Sequence, residues 1–403
     1  MSSLTPASEA ELAEVVAESA AAARPLELIG RGTKRHLGRP LQTEATLDLA
    51  RFAGVVTYEP EELILTARPG TPLAEIEALL AARGQQLAFE PCDLGPLLGQ
   101  APAAGSLGGA IACNLAGPRR FKAGAARDHR LGLAGVTGDG ARFKAGGKVV
   151  KNVTGYDLCK LVAGSWGTLV AMTEVTVKVL PAPEKTRTLL LFGLDAAQAT
   201  RVMAAALGSA CEVSGAAWLP PGLAARTAID LVAGPGRSVT ALRLEGPAPS
   251  VAARLAALRA LVGAGIAQEE LHGQRSGRLG QAARDARPLL GDPRHLWRLS
   301  LAPTAAPALL ALAGAGPEDA LLDWGGGLVW LAADPAADLS LTLSTALSKL
   351  GGQATLIRAP AAQRAAAADL SAEGPALVAL ARRVKASFDP RGIFNPGRLY
   401  AGV

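Results

Sequence analysis

Two glycine-rich stretches hold the residues of this chain best suited to chemistry. The first is Gly30-Arg31-Gly32-Thr33-Lys34-Arg35-His36-Leu37-Gly38, a turn directly after a short apolar run. It combines a hydroxyl with the cations Arg31, Lys34 and Arg35. The second spans 104–181. It opens on Gly105-Ser106-Leu107-Gly108-Gly109, continues through Ala110-Ile111-Ala112-Cys113-Asn114, and ends in the β-branched run Thr173-Glu174-Val175-Thr176-Val177. Clustered glycines bare main-chain N–H groups and remove side chains, so a flat or phosphorylated ligand can come close to the backbone. Together the stretches read as the walls of a dinucleotide cofactor site, with Lys34, Arg31 or Arg35 facing a pyrophosphate. Taken singly, each also reads as a solvated turn of an α/β domain.

Two familiar phosphate motifs are absent. The dinucleotide fingerprint needs a third glycine where Arg35 stands. The P-loop spacing before Gly147-Lys148 meets Arg142, and Val149 follows where a hydroxyl is required. Any phosphate cradle therefore belongs to another fold. Cys92, Cys113, Cys159 and Cys211 show no C-x-x-C spacing, so neither a zinc ribbon nor an iron–sulfur cluster held by this chain is expected. A second cation cluster, Gly117-Pro118-Arg119-Arg120-Phe121-Lys122 with Arg127-Asp128-His129, reads as a solvated loop, an anion contact or a partner surface.

The elements that must position these residues follow from composition and periodicity. With 403 residues, 49% of them hydrophobic, the chain has material for two to three packed domains. The net charge of +6 suits an anionic cofactor or a negative partner surface. Its Arg and Lys residues are dispersed and lack an aromatic stripe, so no nucleic-acid partner is expected. Glu9, Glu11, Glu14 and Glu18 interrupt the N-terminal apolar residues, and no signal peptide is expected. No uncharged apolar run reaches the roughly 20 residues that span a bilayer. The expectation is a cytoplasmic protein, with peripheral docking at the inner membrane through a complex left open.

Capping and periodicity predict helices over 8–23, 73–82, 156–162, 196–207, 250–262, 339–350 and 375–387. Strands are predicted over 26–29, 45–49, 63–67, 87–89, 131–137, 141–144, 169–180, 188–191, 211–218, 238–244, 297–301 and 323–331. Gly273, Gly277 and Gly280 make 271–294 read as a mobile connection. Composition shifts at Pro181, and no internal repeat is evident in the residues. Alternating strands and helices beyond it indicate a separate α+β domain of ferredoxin-like character.

The glycine turn, the Gly105–Asn114 and Asn152–Val179 blocks, and the terminal Phe388-Asp389-Pro390 and Asn395-Pro396-Gly397-Arg398 resemble the FAD-binding family of vanillyl-alcohol oxidase and p-cresol methylhydroxylase (PCMH). Within it the chain is similar to the smaller flavin-type subunit of bacterial glycolate oxidase. Gly117-Pro118-Arg119-Arg120, Lys151-Asn152-Val153-Thr154-Gly155-Tyr156-Asp157-Leu158 and Asp323-Trp324-Gly325-Gly326 carry that likeness.

The resemblance implies an α+β fold with a two-subdomain PCMH-type FAD-binding domain at 1–183, an α+β cap at 184–350, and a C-terminal segment at 351–403 returning to the flavin. It implies that Gly30, Arg31, Gly32, Thr33 and Lys34 hold the pyrophosphate. Gly105, Ser106, Leu107, Gly108, Gly109, Cys113 and Asn114 would line the flavin and its ribityl chain. Thr173, Val175 and Val177 would lie along the adenine, and Asn395 would reach the flavin ring. FAD is expected to be non-covalent. The implied partners are a homologous larger FAD-binding subunit, an iron–sulfur subunit and a small 2-hydroxy acid such as glycolate.

The family's active 2-hydroxy-acid dehydrogenases carry a motif like H-x-G-D-G-N. None of His36, His129, His272 and His295 sits in one, so no metal site is expected. Oxidising glycolate requires a cation for the substrate carboxylate, and Arg298, beside Trp297, is the residue expected to serve. A structural ion pair is the alternative for Arg298. His295 is a poor candidate base, since Asp292-Pro293 should place it in a turn. Two readings remain open: a subunit that oxidises glycolate itself, or a flavin-binding structural subunit beside a catalytic homologue.

Overall fold

The computed structural model describes residues 2–147, 155–316, 318–337, 339–367, 370–371 and 375–399. They fall into two compact units. One comprises Met1–Ala116, Gly124–Ala182 and Glu373–Val403; the other comprises Gly117–Ala123 and Pro183–Ala372.

The first unit holds two main sheets. A parallel three-stranded sheet places Ala45–Asp48 between Ser2–Leu4 and Leu26–Ile29. The helix Glu9–Ala21 covers it. Ser8 caps that helix by accepting the Glu11 N–H at 3.2 Å, and Glu11 Oε2 accepts from the Ala7 N–H at 2.8 Å. Leu12 and Val16 bury completely in one cluster with Leu26, Leu47, Ile393 and Phe394. Each such side chain contributes about 1.5–3 kcal/mol, and Leu12→Ala would cost about 2–5 kcal/mol. The C-terminal tail joins this sheet: Leu26 N–H donates to Ile393 O at 2.7 Å, and Asn395 N–H donates to Leu26 O at 3.0 Å.

The second sheet of this unit is antiparallel, in the order Val55–Glu59, Ile64–Ala67, Val170–Lys178, Arg130–Thr137, Arg142–Gly146. Its inner face packs with the helix Leu73–Ala81 through Leu65, Ile76, Leu80, Val175 and Val177. The strand expected at 87–89 is absent. Leu87, Ala88 and Phe89 are buried, but the ladder forms one step earlier, between Gln85–Gln86 and Leu180–Pro181. Burial rather than pairing explains the apolar run.

The described residues of the second unit form a nine-stranded antiparallel sheet with a repeat hidden in it. Its first half runs Lys185–Phe192, helix Ala196–Leu207, Gly215–Leu219, Val239–Gly246, helix Ala248–Val262, Gln268–His272. Numbered by sequence, those strands lie in the order 4-1-3-2. The second half runs His295–Ser300, helix Ala306–Leu312, Ala320–Asp323, Leu328–Ala333, helix Leu339–Leu350, Gln353–Arg358, and its strands lie in the order 2-3-1-4. Each half is a split β-α-β motif. The two meet through their second strands, where Trp218 pairs with Leu322. The ferredoxin-like character is thus present twice, although the residues show no repeat. Alternating positions Leu189, Leu191, Leu242, Leu244, Leu299, Val329 and Leu331 build one core under the helices.

Three expectations change here. The segment 271–294 contains the helix Gly273–Arg284, because Ser276, Leu279, Ala282 and Ala283 bury one face of it. The run 323–331 is a hairpin, because Trp324 and Gly325 adopt φ of 53° and 69° and turn the chain. The boundary expected at 350 moves, because Gln353–Arg358 pairs with His295–Ser300 and extends the second unit's sheet.

Candidate cofactor site

The strand Leu26–Ile29 delivers the glycine turn to the mouth of a cleft in the first unit. The turn closes on itself, with Leu37 N–H donating to Lys34 O at 3.0 Å. Facing it, Gly105–Gly108 zips onto Pro69–Leu73: Leu73 N–H donates to Gly105 O, Leu107 N–H to Thr71 O, and Gly108 N–H to Pro69 O, at 3.0, 3.0 and 2.8 Å. Only glycine fits at 108, since a Cβ there would stand 2.5 Å from Pro69 Cβ. At Gly109 a Cβ would stand 3.4 Å from both Lys34 Nζ and Ser106 Oγ, on the floor of the cleft. Bare main chain is what lets a ligand lie against this wall.

The walls are strongly positive. Arg31, Lys34, Arg35 and Arg398 line the cleft, and among the described residues no carboxylate does. Glu27 takes up part of this charge through Arg35, with Arg398 3.9 Å away. Arg31 Nε donates to Ala104 O at 2.9 Å. Lys34 Nζ approaches the Thr33 hydroxyl at 3.4 Å, and among the described residues no carboxylate pairs with it. Cys113 closes one end. Burial pushes its thiol pKa up, and the charges of Lys34 and Arg398 pull it partly back down. A cleft floored by glycine and ringed by cations fits an anionic dinucleotide.

The cleft gathers most of the expected residues: Gly30, Arg31, Gly32, Thr33, Lys34, Ser106, Gly108, Gly109 and Cys113 all line it. Others lie elsewhere. Gly105 backs the wall, where its Cβ would be 3.8 Å from Lys34 Nζ. Leu107, Val175 and Val177 are wholly buried in the core. Val170 and Met172 are the residues of that strand that reach the cleft, and a register shift at Ala134/Gly135 follows. Thr173 is buried, with no partner for its hydroxyl among the described residues. Asn114 Oδ1 accepts the Arg127 N–H at 3.0 Å. Asn395 does not point into the cleft as expected. Its Oδ1 accepts from Leu28 N–H and its Nδ2 donates to Trp166 O, each at 2.8 Å, so it fastens two wall segments from beneath. Sequence reasoning missed Trp166, Met172 and Arg398; for Arg398 the signal was a cation closing the Asn395-Pro396-Gly397 turn.

In the second unit, Gly117–Ala123 packs against the long sheet. Arg119 forks onto Glu245 with two bonds of 2.8 Å. Burial alone would raise that carboxyl, but Arg119 and Arg243 outweigh it and hold the pKa down at about 2. Trp324, at the hairpin tip, donates Nε1–H to Gly117 O at 2.9 Å. The guanidiniums of Arg120 and Arg298 lie 4.7 and 5.2 Å from its ring centroid, a doubled cation–π stack. Arg298 also lies 5.9 Å from the Trp330 ring. His295 is not in a turn; it opens the strand His295–Ser300, and its Nε2 is buried with no hydrogen-bond partner among the described residues. Among the described residues no group of His, Cys, Asp and Glu could hold a metal ion, and no helix is long and apolar enough to cross a membrane. Lys151–Thr154 lies outside the described residues; after it, Asp157 caps the helix Leu158–Val162 through the Lys160 N–H.

Comparison with known proteins agrees with this geometry. Residues 3–146 match the family described as FAD binding domain, and 369–399 match the C-terminal domain of FAD linked oxidases. The glycolate oxidase subunit GlcE of Escherichia coli (strain K12) is 35% identical over 396 residues, which is 97% of each chain. The glycolate oxidase subunit GlcD of Bacillus subtilis (strain 168) is 34% identical over 178 residues, 43% of this chain and 36% of that one. Among solved structures, the 4-ethylphenol oxidase of Gulosibacter chungangensis superposes with a TM-score of 0.74 at 16% identity, covering 99% of this chain and 89% of that one. p-Cresol methylhydroxylase gives 0.73 at 14%, covering 99% and 88%. At such identities the structures establish the fold, a PCMH-type FAD-binding architecture.

Proposed function

This chain belongs to the family of FAD-linked oxidoreductases that includes the glycolate oxidase subunit GlcE, and from that premise we propose that it is the FAD-binding subunit of a complex that oxidises glycolate to glyoxylate. FAD is its cofactor. The observation that carries the reading is the cleft of the first unit, with a glycine floor, four lining cations and no lining carboxylate. Bound there, FAD supplies the acceptor for a hydride equivalent from the substrate α-carbon. Lys34 and Arg31 neutralise its diphosphate, Gly108 and Gly109 admit it to the main chain, and Trp166 and Met172 keep water from it. No covalent link is proposed, so acid precipitation should leave all the flavin in the supernatant.

Arg298 is the proposed anchor for the substrate carboxylate. Its guanidinium carbon lies 5.2 Å from the Trp324 ring centroid, and a held guanidinium favours bidentate recognition. Electrons are proposed to pass to an iron–sulfur subunit, beside a homologous larger FAD-binding subunit. The proposed setting is the cytoplasm, with the complex peripheral at the inner membrane.

The test is anaerobic addition of glycolate to the purified, FAD-loaded chain. Bleaching of the flavin band by this chain alone supports catalysis here. A second reading, a flavin-binding structural subunit with the chemistry on a homologue, is favoured by the hairpin tip, where Trp324 stands and among the described residues no histidine does. That reading expects no bleaching until the partner subunits are added. A chain that takes up no FAD at all rejects both.

A further inference from the structure

The C-terminal tail brings a cation into the cleft that the glycine motifs do not account for. Arg398 is 6% exposed and lines the cleft beside Lys34. Its Nη2 donates to the Lys34 carbonyl at 2.6 Å, so the guanidinium sits directly on the glycine turn. Its own carbonyl accepts the Arg39 N–H at 3.2 Å, which ties the far end of that turn to the same residue. Glu27 must serve both Arg35 and Arg398. Glu27 offsets part of the charge of these cations, and among the described residues that line the cleft there is no carboxylate. Lys34 and Arg398 line the same cleft as Cys113.

We propose that Arg398 is a cofactor-binding residue, forming with Lys34 a two-cation clamp on the diphosphate of the dinucleotide. The proposal rests on the FAD reading above. An arginine offers a planar fork that matches phosphate oxygens, and a lysine offers a point charge, so the pair supplies both geometry and charge. Because Arg398 arrives on the tail, occupancy of the cleft and docking of the tail are linked: a ligand that binds only the docked form stabilises it.

The experiment is a titration of the full-length apo-chain with FAD, ADP and riboflavin, for the wild type, Arg398→Gln and Arg398→Lys. ADP carries the diphosphate without the flavin, and riboflavin carries the flavin without phosphate. Arg398→Gln should weaken FAD and ADP by about 10- to 100-fold, the cost of a charge-assisted hydrogen bond. Its riboflavin affinity should stay within about twofold. Arg398→Lys, which keeps the charge and loses the fork, should lower the ratio of ADP to riboflavin affinity by only about three- to tenfold. An unchanged ratio in a folded variant overturns the clamp and leaves Arg398 a structural strut. Should Arg398→Gln fail to fold, as circular dichroism would show, the same ratio is read from Arg398→Lys. Wild-type chain that binds neither FAD nor ADP would instead reject the cofactor reading itself, so the two failures are distinct.

Discussion

Replacing Lys385 by methionine should release the C-terminal tail. The lysine lies on the last helix, Pro375–Phe388, and its Nζ donates to Thr168 O, Asp389 Oδ2 and Phe394 O at 2.6, 2.6 and 2.8 Å. Lys385 and Asp389 are 6% and 1% exposed. Methionine fills most of the space but donates nothing. Asp389 keeps the N–H groups of Ile393 and Phe394, at 3.0 and 2.8 Å, yet loses its cation, and two buried carbonyls lose their donor. Removing one partner of a buried ion pair costs about 3–5 kcal/mol. For a unit of roughly 200 residues each kcal/mol moves Tm by about 2–4 °C, so the first unit's transition should fall by about 6–20 °C. The second unit shares no partner with this cluster, and its transition should stay in place. Calorimetry resolves the two, and FAD titration follows the consequence: with Asn395 and Arg398 unfastened, affinity should drop in parallel. If Lys385→Met and Asp389→Asn both melt within about 1 °C of the wild type, the latch contributes nothing net and the account of tail docking fails.

Other outcomes follow from the same geometry. The Glu245 carboxyl is held at about 2 against an ordinary 4.5, and a depressed carboxylate stabilises the fold fully above its unfolded pKa and loses that contribution as pH falls through the folded one. The second unit should therefore lose stability between pH 4.5 and about 2. Glu245→Gln should melt lower at pH 7 and show a flatter profile over that acid range; parallel curves in scanning fluorimetry would contradict this. Because burial raises the Cys113 pKa, iodoacetamide should label it slowly at neutral pH, faster as pH rises, and hardly at all once FAD fills the cleft. Mass spectrometry showing equal labelling with and without FAD would remove Cys113 from the cofactor wall. Arg298→Lys should raise KM for glycolate by about 10- to 100-fold at unchanged flavin content; an unaltered KM in the assembled complex would end its assignment as carboxylate anchor.

Local signals in the residues carried much of the fold. The helix Ala196–Leu207 begins at Asp195, whose carboxylate accepts from Gln198 N–H while the Gln198 side chain returns to Asp195 N–H, and its apolar positions repeat at helical spacing. Long-range packing was less visible. Gly273, Gly277 and Gly280 argue against a helix on propensity, yet burial of Leu279, Ala282 and Ala283 outweighs roughly 1 kcal/mol per glycine. The hairpin at Trp324 depends on a left-handed tryptophan, which no propensity scale anticipates. The cleft itself was legible where glycine and cation coincide in sequence, at Gly30–Lys34, and where glycines cluster, at Ser106–Gly109. It was illegible where the strand register decides, as at Met172 against Val175, and where a partner arrives from hundreds of residues away, as Arg398 does at Lys34.

The first unit is stitched from segments on either side of the second, and this sets an order on biosynthesis. A ribosome adding about 5–20 residues per second delivers Arg398 some tens of seconds after Lys34. Throughout that interval the groove that Ile393 and Phe394 will cover stays open to chaperones, whereas the described strands of the second unit are all made once residue 371 has emerged. Assembly of the proposed clamp therefore waits for the tail, and a chain cut before Ile393 would keep the long sheet while leaving that groove uncovered.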